Sequence, residues 1–282
     1  MKRAAFLKAG LVCIFATVAQ AQPSVQEKES PSSIQSTTRL QFPSDKIRVS
    51  YFGDVSVPTS RTERGEWYHE PGIAYRLSSV SLRAKLALTQ YFARTDRRDT
   101  LFDLGDPSIG VSKSSLVRLN NFNLYGSLSY TPATSEYSQK KQRVGSFGTT
   151  LIPSLSSSGR RFSLDWMTSV KYYLYVADSD LTEQNRRDLN RGRMSQFKLE
   201  FRPALIYRIS DRFDALLGGH IVFYQNRGRD FSEWARTKNA LHLGANYNIL
   251  KSLSIRPELR FLNPAKLDLE TVEAGMLLFA SL

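Results

Sequence analysis

After residue 44, apolar and polar positions alternate with period two along most of the chain. In "FKLEFRPALIYR", residues 197–208, Phe197, Leu199, Phe201, Leu205 and Tyr207 alternate with Lys198, Glu200, Arg202 and Arg208. Successive side chains of a strand point to opposite faces, so this period predicts strands with one greasy and one charged face. Residues 80–92 set Val80, Leu82, Ala84, Leu86 and Leu88 against Ser81, Arg83, Lys85 and Thr89. Residues 161–176 set Phe162, Leu164, Trp166, Val170 and Tyr172 against Ser163, Asp165, Ser169 and Lys171. Residues 237–249 set Leu241, Leu243, Ala245 and Tyr247 against Lys238, His242, Asn246 and Asn248. Residues 253–261 set Leu253, Ile255, Leu259 and Phe261 against Ser254, Arg256, Glu258 and Arg260. Weaker strands fall near 45–57, 70–78, 106–117, 123–131, 145–155, 213–225 and 271–282, which brings the total to about twelve. Lys113 breaks the parity of the segment near 106–117, predicting a bulge there.

The connections alternate in length. Short turns fall at Ser78-Ser79, Asn120-Asn121, Ser157–Gly159, Ser210-Asp211 and Lys251-Ser252. Long polar stretches fall at 58–67, 93–105, 132–144, 178–194, 226–235 and 263–270. Short turns at one end and long loops at the other are the habit of outer-membrane barrels. A strand of about ten residues, tilted by about 40°, covers the roughly 25 Å of an outward apolar band. Aromatics such as Trp67, Tyr91, Tyr130, Tyr172 and Phe223 gather near strand ends, where a headgroup layer accepts them. Alternation alone does not separate this reading from a soluble barrel with its greasy face inside.

The N-terminus changes the picture. "MKRAAFLKAGLVCIFATVAQAQ" has a basic start, a short apolar core and a small-x-small site at Ala19–Ala21. It predicts a secretory signal peptide over 1–22. A Ser-, Gln- and Pro-rich periplasmic leader follows over 23–44, and the barrel occupies 45–282. The single cysteine, Cys13, falls within the signal, so neither disulfides nor cysteine-held metals are expected in the mature chain. No apolar run is long enough for a membrane helix. Mean hydropathy is −0.34, which suits a barrel whose strands each show one polar face. Lipid leaves no backbone group unpaired, so strands cross it only as a closed ring.

The net charge is +13. An exported chain has little occasion to meet nucleic acid. Anionic lipid, lipopolysaccharide and acidic solutes are the fitting partners. With the charged face as the lumen, Arg83, Lys85, Lys198, Arg202, Lys238, Arg256 and Arg260 are the expected anion-contacting residues. A second reading stays open. Glu200 and Glu258 each stand between bases of their own face, so ion pairs would knit the lumen into a closed structural or adhesive barrel. A lipid-modifying enzyme is the remaining alternative, without a motif: "GDPSIG" at 105–110 lacks the nucleophile-elbow pattern. His220 and His242 face inward without a third ligand, so no metal or other cofactor is expected. "RGR" recurs at 191–193 and 227–229, in two long loops.

On these residues the chain resembles the small Gram-negative outer-membrane β-barrels. Its last strand, with Ala274, Met276, Leu278, Ala280 and Leu282 on one face, is similar to the terminal strand read by the barrel-assembly machinery, although the usual final aromatic is replaced by Leu282. Strand number and a basic lumen resemble the monomeric porins for acidic oligosaccharides. The resemblance implies an all-β, up-and-down transmembrane barrel in the outer membrane and a non-enzymatic transport role.

Overall fold

The computed structural model describes residues 46–60, 64–93, 100–157, 159, 161–264 and 271–281, without the side chains of 236–238. The expected signal peptide and leader, Cys13 and Leu282 lie outside the described residues. The strand segments are β1 (Ile47–Pro58), β2 (Glu66–Leu77), β3 (Val80–Lys85), β4 (Leu88–Tyr91), β5 (Phe102–Leu104), β6 (Ser108–Arg118), β7 (Phe122–Pro132), β8 (Arg143–Ser156), β9 (Phe162–Tyr175), β10 (Ser195–Arg208), β11 (Phe213–Asn226), β12 (Trp234–Leu250), β13 (Leu253–Phe261) and β14 (Val272–Ser281). Each pairs antiparallel with its neighbours. β1 joins both β2 and β14, which closes the ring. β3 and β4 are two parts of one wall strand, as are β5 and β6, so the wall has twelve strands. Closure leaves no sheet edge, as lipid demands.

The faces are inverted relative to a soluble protein. Leu128, Phe147, Leu164, Trp166, Leu205, Leu217, Leu243 and Leu259 are exposed on the outer wall. Ser112, Ser146, Asp165, Glu200, His220, Glu258 and Arg260 are buried on the inner one. The greasy face of residues 197–208 therefore meets hydrocarbon and its charged face the interior.

Prolines mark the irregularities. Leu86 N–H donates to the Pro71 carbonyl at 3.0 Å. Pro71 has no N–H to return, and the ladder of β2 breaks there. The strand expected over 80–92 is consequently split at Leu86-Ala87 into β3 and β4. β2 itself begins at Glu66, earlier than expected, so Trp67, Tyr68 and His69 belong to the wall and not to a loop. The stretch 93–105, expected as a loop, contains β5. The irregularity expected around Lys113 is present as a register shift between Lys113 and Val117.

A bend or bulge is the sequence expectation at Pro203 and Pro257; the structure shows an interrupted ladder at each and no bulge. Register runs unbroken from Phe201↔Ile221 to Ala204↔Gly218, and from Tyr247↔Ile255 to Gly244↔Glu258. Each proline omits bonds to one neighbour without inserting a residue. Pro203 stands across from Gly219, where an added Cβ would lie 3.3 Å from the proline Cγ. The bare glycine makes room for the ring, so no bulge is required.

The long connections lie at one end of the barrel and hold one another. Between β7 and β8 runs α1 (Glu136–Lys140), capped by the Ser135 hydroxyl, which accepts from Ser138 N–H. Between β9 and β10 runs α2 (Glu183–Asn190), capped by Thr182, which accepts from Asn185 N–H. Lys141 pairs with Asp188 at 2.9 Å. Asn185 Nδ2 donates to the Lys140 carbonyl and to Gln142 Oε1, both at 2.9 Å. Arg227, beyond β11, pairs with Asp178 before α2. Three loops thus form one interlocked rim.

Candidate functional site in the barrel lumen

Glu200 organises one part of the inner wall. Its Oε2 meets Lys198 Nζ at 2.7 Å, and its Oε1 accepts from Arg202 Nε at 2.5 Å. His220, from β11, contacts the same Oε1 at 2.8 Å. Residues two apart in a strand share a face, so the spacing Lys198-x-Glu200-x-Arg202 builds this cluster from local sequence. Glu258 repeats the plan. Its Oε1 accepts from Arg260 Nε at 2.5 Å and lies 3.3 Å from His242 Nδ1 of β12. Arg260 also donates to Asp54 Oδ1 at 2.5 Å. The rings of His220 and His242 lie 6.2 Å apart. A continuous acid–base row therefore crosses β10, β11, β12 and β13 and ends on β1.

Arg202 reaches further. It lies within electrostatic range of Asp54 on β1 and of Tyr68 on β2, half the ring away from β10. A barrel of this strand number lies between those filled by their own side chains and those with a wide channel. Arg202 keeps 51% of its side-chain exposure although it points inward, and Lys85 keeps 41%.

The other expected residues are distributed as follows. Lys85 Nζ pairs with Glu70 Oε1 at 2.5 Å. Arg83 Nη1 donates to the Tyr125 hydroxyl at 3.0 Å. Arg256 covers the Phe279 ring at 5.2 Å, within electrostatic range of Asp165, Asp214 and Glu258. Lys238 stands opposite Val222 in β12, and its side chain lies outside the described residues. The structure thus gathers Lys198, Arg202 and Arg260 into the row. Arg83 and Lys85 sit on another part of the wall.

Three participants escape the sequence pattern. Glu70 and Tyr68 precede Pro71, where the alternation is interrupted, and the Tyr68 hydroxyl donates to Glu70 Oε2 at 2.9 Å. Arg143 lies at the end of a polar loop, yet its guanidinium stacks 4.2 Å from the Tyr173 ring centroid and its Nε donates to the Tyr175 hydroxyl at 3.3 Å. A register shift between Arg143 and Gly145 turns it inward, whereas alternation carried on from Phe147 places it on the outer face, so the sequence pattern does not find it. His69, expected in or near a loop, sits in β2 and is bonded to the Tyr51 hydroxyl at 2.6 Å. Among the described residues, no three His, Cys, Asp or Glu side chains form a metal-holding group.

A greasy outer wall, a polar interior and a closed antiparallel ladder define a transmembrane antiparallel β-barrel. In fold the chain is similar to an outer-membrane channel from Pseudomonas putida F1, with a TM-score of 0.52 and 10% identity over 90% of this chain and 100% of that one. A NanC porin gives a TM-score of 0.49 at 11% identity, over 83% of this chain and 98% of its own. A KdgM porin gives 0.46 at 6% identity, over 83% of this chain and 97% of its own. No protein-family model matches the chain, and no curated protein matches it.

Proposed function

We propose that the protein is a passive outer-membrane channel for small anionic solutes. The observation that carries this reading is the state of the inward bases. Glu200 is buried at the wall and Glu70 partly so, while Arg202 and Lys85 stay half exposed to the interior. Such cations exchange a water shell for a passing anion and keep their place through the carboxylate behind them. The likeness to the Pseudomonas putida channel supports a channel at the level of fold.

The acid–base row favours a second reading, a barrel closed by its own ion pairs. Conductance separates the two. Reconstituted protein in a planar bilayer, under a potassium chloride gradient, is expected to conduct with a reversal potential on the anion side. Arg202→Ser combined with Lys85→Ser should move that potential toward the cation side by several millivolts, because two exposed lumen charges are gone. Cation preference in the unaltered protein overturns the anion reading. Absence of conductance in protein that shows a folded, heat-modifiable band selects the closed barrel.

A further inference from the structure

The two "RGR" segments meet. Arg227 N–H donates to the Met194 carbonyl at 2.7 Å, which ties the β11–β12 loop to the start of β10. Gly192 and Gly228 both adopt positive φ, +64° and +75°, so each segment turns sharply at its glycine. A Cβ on Gly192 would stand 3.2 Å from Arg229 Nε. The Arg229 guanidinium therefore lies across the turn flanked by Arg191 and Arg193. All three arginines are exposed. Arg193 is within electrostatic range of Asp188, but that carboxylate is already paired with Lys141. Asp230 and Glu233 are the nearby acids of the β11–β12 loop, and no bond joins them to these arginines among the described residues.

Directly below is an apolar shelf on the outer face. Tyr172, Phe197, Gln225 and Trp234 are lateral neighbours on β9, β10, β11 and β12. Phe231 folds back over this row and meets Phe197 and Trp234 edge-on, at ring distances of 5.8 and 5.7 Å. Gln225, between Phe197 and Trp234 in this row, is only 4% exposed, while Phe231 is 67% exposed. Gln225 Nε2 donates to the Arg229 carbonyl at 3.0 Å, so shelf and arginines are fixed to each other. An exposed phenylalanine on the lipid side of the wall, capped by three arginines, is an amphipathic surface whose boundary lies at headgroup height.

We propose that this surface docks a phosphorylated glycolipid of the outer leaflet, with its phosphates on Arg191, Arg193 and Arg229 and its acyl chains along Phe231, Trp234 and Phe197. Guanidinium forks match phosphate oxygens in geometry, and the anionic membrane surface adds to the attraction. The placement fixes one side of the barrel, β9 to β12, as the side that carries bound lipid.

The test is native mass spectrometry of the folded protein in neutral detergent, titrated with bisphosphorylated lipid A or with the same lipid after phosphatase treatment. Lipid A is expected to give a saturable adduct. Loss of its phosphates, or the combined Arg191→Ser, Arg193→Ser and Arg229→Ser substitution, should weaken binding roughly fivefold per charge and on the order of a hundredfold in all. Phe231→Ser should weaken both lipids alike. Arg212→Ser, at the opposite end of the barrel, should change nothing. Equal binding of the two lipids by the unaltered protein overturns the proposal without reference to any variant. Displacement of lipid by millimolar inorganic phosphate would show a free-anion site and overturns the lipid assignment.

Discussion

The carboxylate of Asp106 accepts from Thr134 N–H at 2.8 Å, from Ser135 N–H at 2.6 Å and from the Ser138 hydroxyl at 2.5 Å. Partial burial pushes its carboxyl group upward, but these bonds outweigh that and hold it below the usual aspartate range. A carboxyl group depressed in the folded state stabilises fully above its unfolded value, near 3.9, and loses that contribution as pH falls through the lower folded value. Protection of Thr134 and Ser135 from hydrogen exchange, taken relative to the intrinsic rate at each pH, is therefore expected to hold down to about pH 4 and to fall below it. Asp106→Asn should bring fast exchange at neutral pH, with the barrel wall unaffected. At this scale the sequence is readable where partners are two apart. Lys198, Glu200 and Arg202 are visible at once, and so are Glu258 and Arg260. Asp106 is not, because its partners lie some thirty positions on and depend on α1 folding back.

Among the elements, the pairing of Pro203 with Gly219 has a measurable counterpart. Gly219→Val should destabilise the barrel by about 1–3 kcal/mol, since a larger residue is forced into a filled space. Pro203→Ala should relieve much of that cost, because it removes the ring and restores a ladder donor. Urea unfolding in lipid vesicles gives both values. Additivity of the two substitutions would show that the ring and the glycine do not share one space. Strand boundaries followed from alternation with little error for β9, β10 and β13. The split of β3 from β4 was not legible, since its cause is Pro71 on the neighbouring strand. A proline also reads identically whether it makes a bulge or only omits bonds. What decides is the residue opposite, and register is not written in either strand alone.

On the scale of the whole molecule, the inverted distribution of greasy and polar faces makes position decisive for charge. Leu217→Arg, on the outer wall, is expected to cost about 2–4 kcal/mol if it lies near mid-membrane. Thr150→Arg, on the inner wall, should cost far less and instead alter conductance. A similar unfolding penalty for both would mean that the faces are not as described. The closed ring and its greasy outer face were legible from strand length and loop asymmetry taken together with the signal peptide expected at the N-terminus. The reach of Arg202 was not, because Asp54 and Tyr68 stand about half a circumference away and no local pattern encodes that proximity. The interlocked rim bears on how current would flow through such a molecule. Loops that swing across a mouth chop the ionic current into bursts. Here the α1 and α2 connections and the β11–β12 turn are held together by ion pairs and hydrogen bonds, which on the proposed channel reading makes the entrance a fixed orifice. Single-molecule recordings should then show a quiet baseline, with salt steps raising the noise only once Lys141–Asp188 and Arg227–Asp178 are screened.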